Sequence, residues 1–124
     1  MDNGSRESFL AQKTFKRQAI NTSAGKYWIA VMTGNERDAY EQAVILSDNP
    51  SKARRGELLC RTIVNENGQR LFNDDDAIIV GNLPVDFIQP LYNLANKLNK
   101  ISYSDIGELE KKSDSSQSED SGLN

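Results

Sequence analysis

Residues 60–76 read CRTIVNENGQRLFNDDD and contain the most informative succession of local signals in the chain. The pair Asn67-Gly68 favours a tight turn, because both residue types tolerate a positive φ angle. Asn73 can cap a helix whose first turn carries three aspartates, and negative charge is favourable at that end of the helix dipole. The stretch therefore predicts a tight turn followed by a new helix that begins near Asn73.

Upstream of this stretch, the sequence predicts an antiparallel hairpin. Residues 26–32 (KYWIAVM) are rich in aromatic and β-branched side chains, and residues 15–20 precede them across the polar, glycine-containing loop 21–25. Two such runs around a short polar loop are typical of a hairpin. Because an isolated hairpin is only marginally stable in water, we expect it to pack on helices.

The spacing of apolar residues and the capping signals predict five helices, at residues 33–46, 51–64, 73–80, 83–99 and 102–112. The first begins with the capping-box pair Thr33 and Glu36. The last residues of the second, 60–64, could equally form a strand. Pro84 suits the first position of the fourth helix, whereas Pro90 should remove one hydrogen bond and kink it.

These elements predict an α+β fold that is mainly α-helical, with an N-terminal β-hairpin packed on four to five short helices. We divide the chain into a flexible N-terminal arm at residues 1–8, a single domain at residues 9–112 and a disordered C-terminal tail at residues 113–124. The tail holds five serines and three acidic residues, and Leu123 is its only hydrophobic residue. Such a composition cannot offset the entropy cost of ordering.

The composition argues against enzyme chemistry. Among its 124 residues the chain has no histidine, and hence no imidazole general base and no histidine metal ligand. The single cysteine, Cys60, cannot form an intramolecular disulfide and is predicted to be a small buried hydrophobe. Residues 74–76 could attract a divalent cation, but no EF-hand spacing accompanies them, so we expect a charged helix start. We predict a protein without catalytic residues, cofactor or metal.

The charge balance disfavours nucleic-acid binding, and the lack of a long apolar segment disfavours a membrane protein. The net charge is -3, and nucleic-acid affinity rests mostly on lysine and arginine. We expect the small basic cluster Lys52, Arg54 and Arg55 to be a solvated helix face. No segment approaches the roughly 18 apolar residues that span a bilayer, and residues 1–8 lack an apolar signal region. A soluble protein of the cytosol is the expectation.

The ordered succession of motifs resembles the tail assembly chaperones of long-tailed, lambda-like bacteriophages. Residues 32–41 (MTGNERDAYE) are similar to the family's helix start L-T-x-x-E-R-D-A-[FY]-E, and residues 60–76 are similar to S-[LV]-V-D-E-D-G-x-R-L-F-T-D-E-D. Residues 81–98 match L-G-x-L-P-x-x-x-[LI]-x-x-L-[FY]-x-x-A-x-x-L-N, and residues 102–112 resemble T-x-x-D-[VI]-x-E-L-E-K. The resemblance covers about residues 16–112.

The resemblance implies a role in assembly without catalysis. Proteins of this family coat the aggregation-prone tape measure protein and help to recruit tail tube subunits around it. They act in the host cytoplasm and are absent from the mature virion. Many are also made in a longer form by ribosomal frameshifting, and the extension contacts the tail tube protein. In this chain, Lys111-Lys112 could be encoded by an A-rich slip site.

The resemblance and the apolar pattern together suggest where partners bind. We expect the apolar face of the helix at residues 83–99 to be shared between the core and self-association, and an amphipathic helix can cover apolar stripes of a tape measure. Tyr27 and Trp28 could instead pack in the core, although both residue types are common at binding hot spots. The candidate partner-binding residues are Tyr27, Trp28, Tyr40, Phe87, Leu91, Leu94 and Leu98.

Two other classes of protein remain open at this point. One is a small structural phage protein, such as a tail completion or head–tail connector subunit. The other is an acidic DNA mimic, which would need acidic residues spread over one face. The acidic residues gather instead at helix starts and in residues 113–124, which disfavours the DNA mimic.

Overall fold

The computed structural model describes residues 3–12, 16–46 and 50–101. These residues form one three-stranded antiparallel sheet, five α-helices and a short 3-10 helix. In chain order the elements are α1 (Arg6–Leu10), β1 (Arg17–Thr22), β2 (Gly25–Ala30), α2 (Gly34–Leu46), α3 (Pro50–Thr62), β3 (Ile63–Val64), the 3-10 helix (Asp74–Asp76), α4 (Ala77–Gly81) and α5 (Val85–Leu98). The predicted α+β class is confirmed.

The predicted hairpin is present, and a third strand extends it. Thr22 pairs with Gly25 across a two-residue turn, and Gly25 has a φ of 131°, which favours glycine. The sequence left residues 60–64 undecided between helix and strand. The structure divides them, because α3 continues through Thr62 and Ile63–Val64 then pairs antiparallel with β2, beside Ile29 and Trp28.

The turn and the helix start in residues 60–76 are confirmed. The Asn65 side-chain oxygen accepts hydrogen bonds from the backbone N–H groups of Asn67 and Gln69, and Gly68 has a φ of 84°. Asn73 accepts a hydrogen bond from the Asp75 N–H, while the Asp76 carboxylate accepts one from the Asn73 N–H. These reciprocal bonds form a capping box that starts the 3-10 helix.

The core lies between one face of the sheet and helices α2, α3, α4 and α5. Its largest fully buried side chains include Ile29 from β2, Tyr40 from α2, Leu58 from α3 and Ile88 from α5. Helices α3 and α4 approach closely at Gly56, where a Cβ atom would overlap the carbonyl oxygen of Ala77. The absence of a side chain at this position therefore allows the two helices to pack this closely.

The helix predictions are confirmed for α2, α4 and α5. The start of α5 differs from the prediction by one residue, and α1 was not predicted. The Thr33 hydroxyl accepts from the Glu36 N–H and the Glu36 carboxylate accepts from the Thr33 N–H, as predicted. Pro84 is the N-cap of α5 rather than its first residue, and α5 continues through Pro90.

Helix α1 was not predicted from the sequence. A capping box between Ser5 and Ser8 starts this helix within the stretch expected to be a flexible arm. The predicted helix at residues 102–112 and the predicted tail at residues 113–124 lie outside the described residues. Among the residues described, none of the helices has the length and apolar character that crossing a membrane requires.

Candidate functional site: an apolar groove and the α4 patch

A groove opens between the hairpin turn, the turn before the 3-10 helix and the α4–α5 junction. It has a volume of about 220 Å³. Its rim is formed by Ala24, Tyr27, Phe72, Leu83 and Phe87, and its floor by the buried side chains of Ile63, Val80, Ile88 and Leu91. All nine residues are apolar or aromatic, and we call this surface the apolar groove.

Strand and helix periodicity explain how these side chains meet. Tyr27 and Ile29 alternate with Trp28 along β2, so Tyr27 lies on the face of the sheet that covers the core. Phe87, Ile88 and Leu91 follow the i, i+1, i+4 spacing that places side chains on one side of a helix. The groove is therefore the exposed end of the hydrophobic core.

A second apolar surface adjoins the groove. Ile78 and Ile79 on α4 are 77% and 65% exposed, and Val85 at the start of α5 is also exposed. Leu83 lies between them in sequence and belongs to the groove rim. We call Ile78, Ile79 and Val85 the α4 patch. Exposed apolar patches are typical of interaction surfaces, so the α4 patch is a candidate contact surface.

Acidic side chains accompany both apolar surfaces. Residues 71–96 contain four aspartates and no lysine or arginine. Asp74 accepts a hydrogen bond from Arg70 at 2.8 Å, and this bond holds the pKa of Asp74 below its usual value. Asp75 and Asp86 are exposed and form no ion pair within the described part of the chain. The site therefore combines apolar surface with uncompensated negative charge.

The reactive side chains are placed for structural roles. Cys60 is fully buried, as predicted, and burial raises the pKa of its thiol to about 11. A thiol with this pKa stays protonated near neutral pH and is a poor nucleophile. Among residues 3–12, 16–46 and 50–101, no three His, Cys, Asp or Glu side chains are grouped so that they could hold a metal ion.

Comparison with known proteins identifies a similar structure. No protein-family model and no curated protein sequence matches the chain. Among solved structures, the chain is similar to the bacteriophage HK97 tail assembly chaperone, with a TM-score of 0.52 and 14% sequence identity over 78% of this chain and 98% of that chain. The two chains share a fold. The architecture implied by the motif resemblance is thus confirmed.

Within this fold, three of the seven predicted contact residues come together. Tyr27, Phe87 and Leu91 all line the apolar groove, although Leu91 forms part of its buried floor. Phe72 and Leu83 also line the groove, although neither was among the predicted contact residues. The available sequence signals were the motif stretch that contains Phe72 and the place of Leu83 directly before Pro84.

The other four predicted residues lie elsewhere. Trp28 points to the opposite face of the sheet, where the Lys26 ammonium lies 5.3 Å from the centre of its ring. Leu94 is half-buried against the core, and Leu98 lines a separate cavity of about 950 Å³. Tyr40 is fully buried, and burial together with the neighbouring Tyr92 raises the pKa of its hydroxyl. No partner can reach Tyr40 in this structure.

The basic cluster is less solvated than the sequence predicted. Arg55 is half-buried, donates a hydrogen bond to Gln89 at 2.7 Å and lies 5.4 Å from the centre of the Tyr92 ring. Arg54 is also half-buried. Arg55 therefore joins α3 to α5, which corrects the expectation of a free helix face. The side chain of Lys52 lies outside the described residues.

Proposed function

We propose that this protein is a tail assembly chaperone of a long-tailed bacteriophage. In this role it binds the tape measure protein, keeps it soluble and helps to recruit tail tube subunits during tail morphogenesis. The observation that carries the proposal is the fold shared with the HK97 tail assembly chaperone, which extends over 98% of that chain. The order of sequence motifs supports the same role independently of the structure.

The α4 patch is the surface that we assign to the tape measure protein. A long helical chain with apolar stripes needs aliphatic surface to cover it, and Ile78, Ile79 and Val85 offer such surface on the outside of the fold. Burying apolar area contributes roughly 25 cal/mol per Å², so one small patch gives a weak contact. Many copies along one tape measure would gain affinity by multivalency, which makes weak individual contacts sufficient.

The proposed role includes no catalysis and no cofactor. The protein would act in the host cytoplasm and be absent from the mature virion, and its copies would associate along the tape measure. A frameshift-extended form would contact the tail tube protein through its extension. Sequencing the codons for Lys111-Lys112 tests the slip site, because a run without repeated A at that point excludes it there.

The experiment for this function is co-expression with the tape measure protein encoded in the same tail gene cluster. The expected result is a several-fold increase in the soluble fraction of the tape measure protein, compared with co-expression of an unrelated small acidic protein. An unchanged soluble fraction would contradict the proposal. Detection of this protein in purified virions would instead support the structural-subunit class.

A further inference from the structure

The cavity that Leu98 lines lies at the open end of the hairpin, away from the apolar groove. Its volume of about 950 Å³ lies within the range of roughly 300–1,000 Å³ that is typical of ligand-binding clefts. Its walls come from residues beside the start of β1, the end of β2, the start of α2 and the end of α5. Val31, Met32 and Leu98 give it an apolar lining. We call this space the basic cavity, for the charges described next.

Three basic side chains, and no acidic one, line the basic cavity within the described part of the chain: Lys16, Arg37 and Lys100. Arg37 is fixed in place, because it donates hydrogen bonds to the Glu41 carboxylate at 3.0 Å and to the Asn99 carbonyl oxygen at 2.9 Å. Lys16 and Lys100 are exposed, and neither forms an ion pair with another described residue. The cavity therefore carries uncompensated positive charge, which favours an acidic occupant.

The end of α5 fixes the point at which the chain continues beside this cavity. Lys100 has a φ of 55°, the left-handed conformation in which many helices end. The Ile101 N–H donates to the Asn96 carbonyl oxygen at 2.8 Å, and the Ile101 side chain is buried in the core. The segment that follows Ile101 therefore starts at a fixed point, one residue beyond the cavity-lining Lys100.

The sequence of that segment fits the chemistry of the cavity. Residues 102–110 read SYSDIGELE, and their large apolar side chains recur every three residues, at Tyr103, Ile106 and Leu109. Such spacing places side chains on one side of a helix, and a helix of nine residues is roughly 14 Å long. Three acidic residues accompany the apolar ones: Asp105, Glu108 and Glu110. One short segment thus combines apolar side chains with the charge that the cavity lacks.

The chain's own segment is favoured over a separate acidic peptide. Residues 102–124 contain six acidic and two basic residues, whereas residues 1–101 contain twelve acidic and thirteen basic ones, so the acidic excess lies in the last part of the chain. A short tether gives the attached segment an effective concentration of about a millimolar or more. A free peptide of equal affinity would need a similar concentration to compete.

We propose that residues 102–110 dock in the basic cavity of the same chain, with their apolar side chains inward and their acidic side chains beside Lys16 and Lys100. The contact would close the open end of the hairpin against the end of α5. A partner with an acidic, amphipathic segment would reach this lining only after displacing residues 102–110. The inference rests on the described fold and does not depend on the proposed role in tail assembly.

Paramagnetic relaxation in NMR spectra of the full chain tests the proposal. A nitroxide label is attached to the variant Ser113→Cys. Cys60 should stay unlabelled, because it is fully buried and burial raises the pKa of its thiol to about 11. Docking predicts strong broadening of the amide signals of Val31 and Gly34 at the cavity and little at Ala24, because six-residue strands place the turn about 20 Å away. Equally weak broadening at both ends of the hairpin would overturn the proposal.

Two further substitutions in the labelled protein test the charged and the apolar parts of the contact. Lys16→Glu repels the acidic side chains, and Ile106→Asp places a charge against the apolar lining. Each should lower the paramagnetic relaxation rate at Val31 about twofold or more, with the thermal midpoint of unfolding unchanged. Lys26→Glu is the matched control, since Lys26 is an exposed lysine beside the hairpin turn, and it should leave the rate unchanged. A rate that neither Lys16→Glu nor Ile106→Asp lowers would refute the docking.

A mixed sample shows whether the contact lies within one copy. Isotope-labelled protein without nitroxide is mixed with nitroxide-labelled protein of natural isotope abundance. The proposal predicts no broadening at Val31 in this mixture. Broadening as strong as in the singly prepared sample would contradict the proposal, because residues 102–110 would then occupy the cavity of another copy.

Discussion

At the scale of single residues, Asn99 connects the sheet to the longest described apolar helix. Its side-chain oxygen accepts a hydrogen bond from the Met32 N–H at 2.8 Å. Its side-chain nitrogen donates to the carbonyl oxygens of Ala30 at 3.2 Å and Ala95 at 3.0 Å. Its own backbone carbonyl accepts from Arg37. One buried amide thus satisfies backbone groups from two elements that are far apart in sequence.

Replacing Asn99 should therefore be costly. Asn99→Leu keeps the volume but leaves the Met32 N–H and the Ala30 carbonyl buried without partners, so we expect the free energy of unfolding to fall by about 2–3 kcal/mol. Urea denaturation measures this change. Asn93→Leu, at an exposed position on the same helix, should change it by less than about 0.5 kcal/mol. Equal effects of the two substitutions would contradict the role assigned to Asn99.

The free energy of unfolding is expected to depend slightly on pH through Asp74. Its pKa is lowered in the folded state because Arg70 donates a hydrogen bond to its carboxylate. A carboxyl group whose pKa is lowered by folding contributes its full stabilisation at a pH above its unfolded-state pKa of about 3.9. This stabilisation is lost as the pH falls through the folded-state pKa. Because the side chain is about half exposed, we expect a contribution of at most about 1 kcal/mol.

The test compares Asp74→Asn with the wild type by urea denaturation at pH 7 and at pH 2.5. The variant should be less stable by about 0.5–1 kcal/mol at pH 7. The difference should shrink at pH 2.5, because the carboxylate of the unfolded wild type is protonated there and the contribution of its ionised form to stability is partly lost. Glu66→Gln, in an exposed turn, is the control and should differ little at either pH. A difference that stays constant with pH would refute the assignment.

At the scale of elements, local signals were predictable and long-range contacts were not. The Thr33–Glu36 capping box, the Asn67-Gly68 turn and the Asn73 cap each act within a few residues, so the sequence alone predicts them. Strand β3 has only two residues and pairs with β2, more than thirty residues away in sequence. Nothing in so short a run distinguishes it from the end of α3.

Gly56 shows how a tertiary contact reverses a local argument. From the sequence, Gly56 weakens α3 by roughly 1 kcal/mol relative to alanine. In the structure, a Cβ at this position would overlap the Ala77 carbonyl of α4 and lie 3.1 Å from the Gly81 nitrogen. The clash involves backbone atoms, which cannot rotate away as a flexible side chain would.

We therefore expect Gly56→Ala to lower the free energy of unfolding by about 1–3 kcal/mol instead of raising it. Thermal or urea denaturation gives the sign directly. Gly81→Ala on the facing helix is the control, because its nearest neighbour atom would lie at an ordinary contact distance of 3.5 Å. A stabilising effect of Gly56→Ala would show that α3 and α4 are not packed as closely as described.

At the scale of the whole molecule, the fold was more predictable than the site. The sequence identifies Tyr27, Phe87 and Leu91 because hydrophobic periodicity marks them, and all three line the groove. The sequence does not show that Ile78 and Ile79 are both exposed, because one of two adjacent apolar residues in a short helix is usually buried. In this fold α4 buries Ala77 and Val80 against its neighbours and leaves both isoleucines outside.

In the proposed function, the α4 patch is the surface that keeps a tape measure protein soluble. The test measures the soluble fraction of the tape measure protein when it is co-expressed with one of two variants of this protein, Ile78→Asp/Ile79→Asp or Leu46→Asp. Each variant is first shown to have the thermal stability of the wild type. Both variants add charge at exposed aliphatic positions, but only the first alters the patch. We predict that solubility is lost with the double variant and kept with Leu46→Asp. Equal solubility with the two variants would contradict the claim.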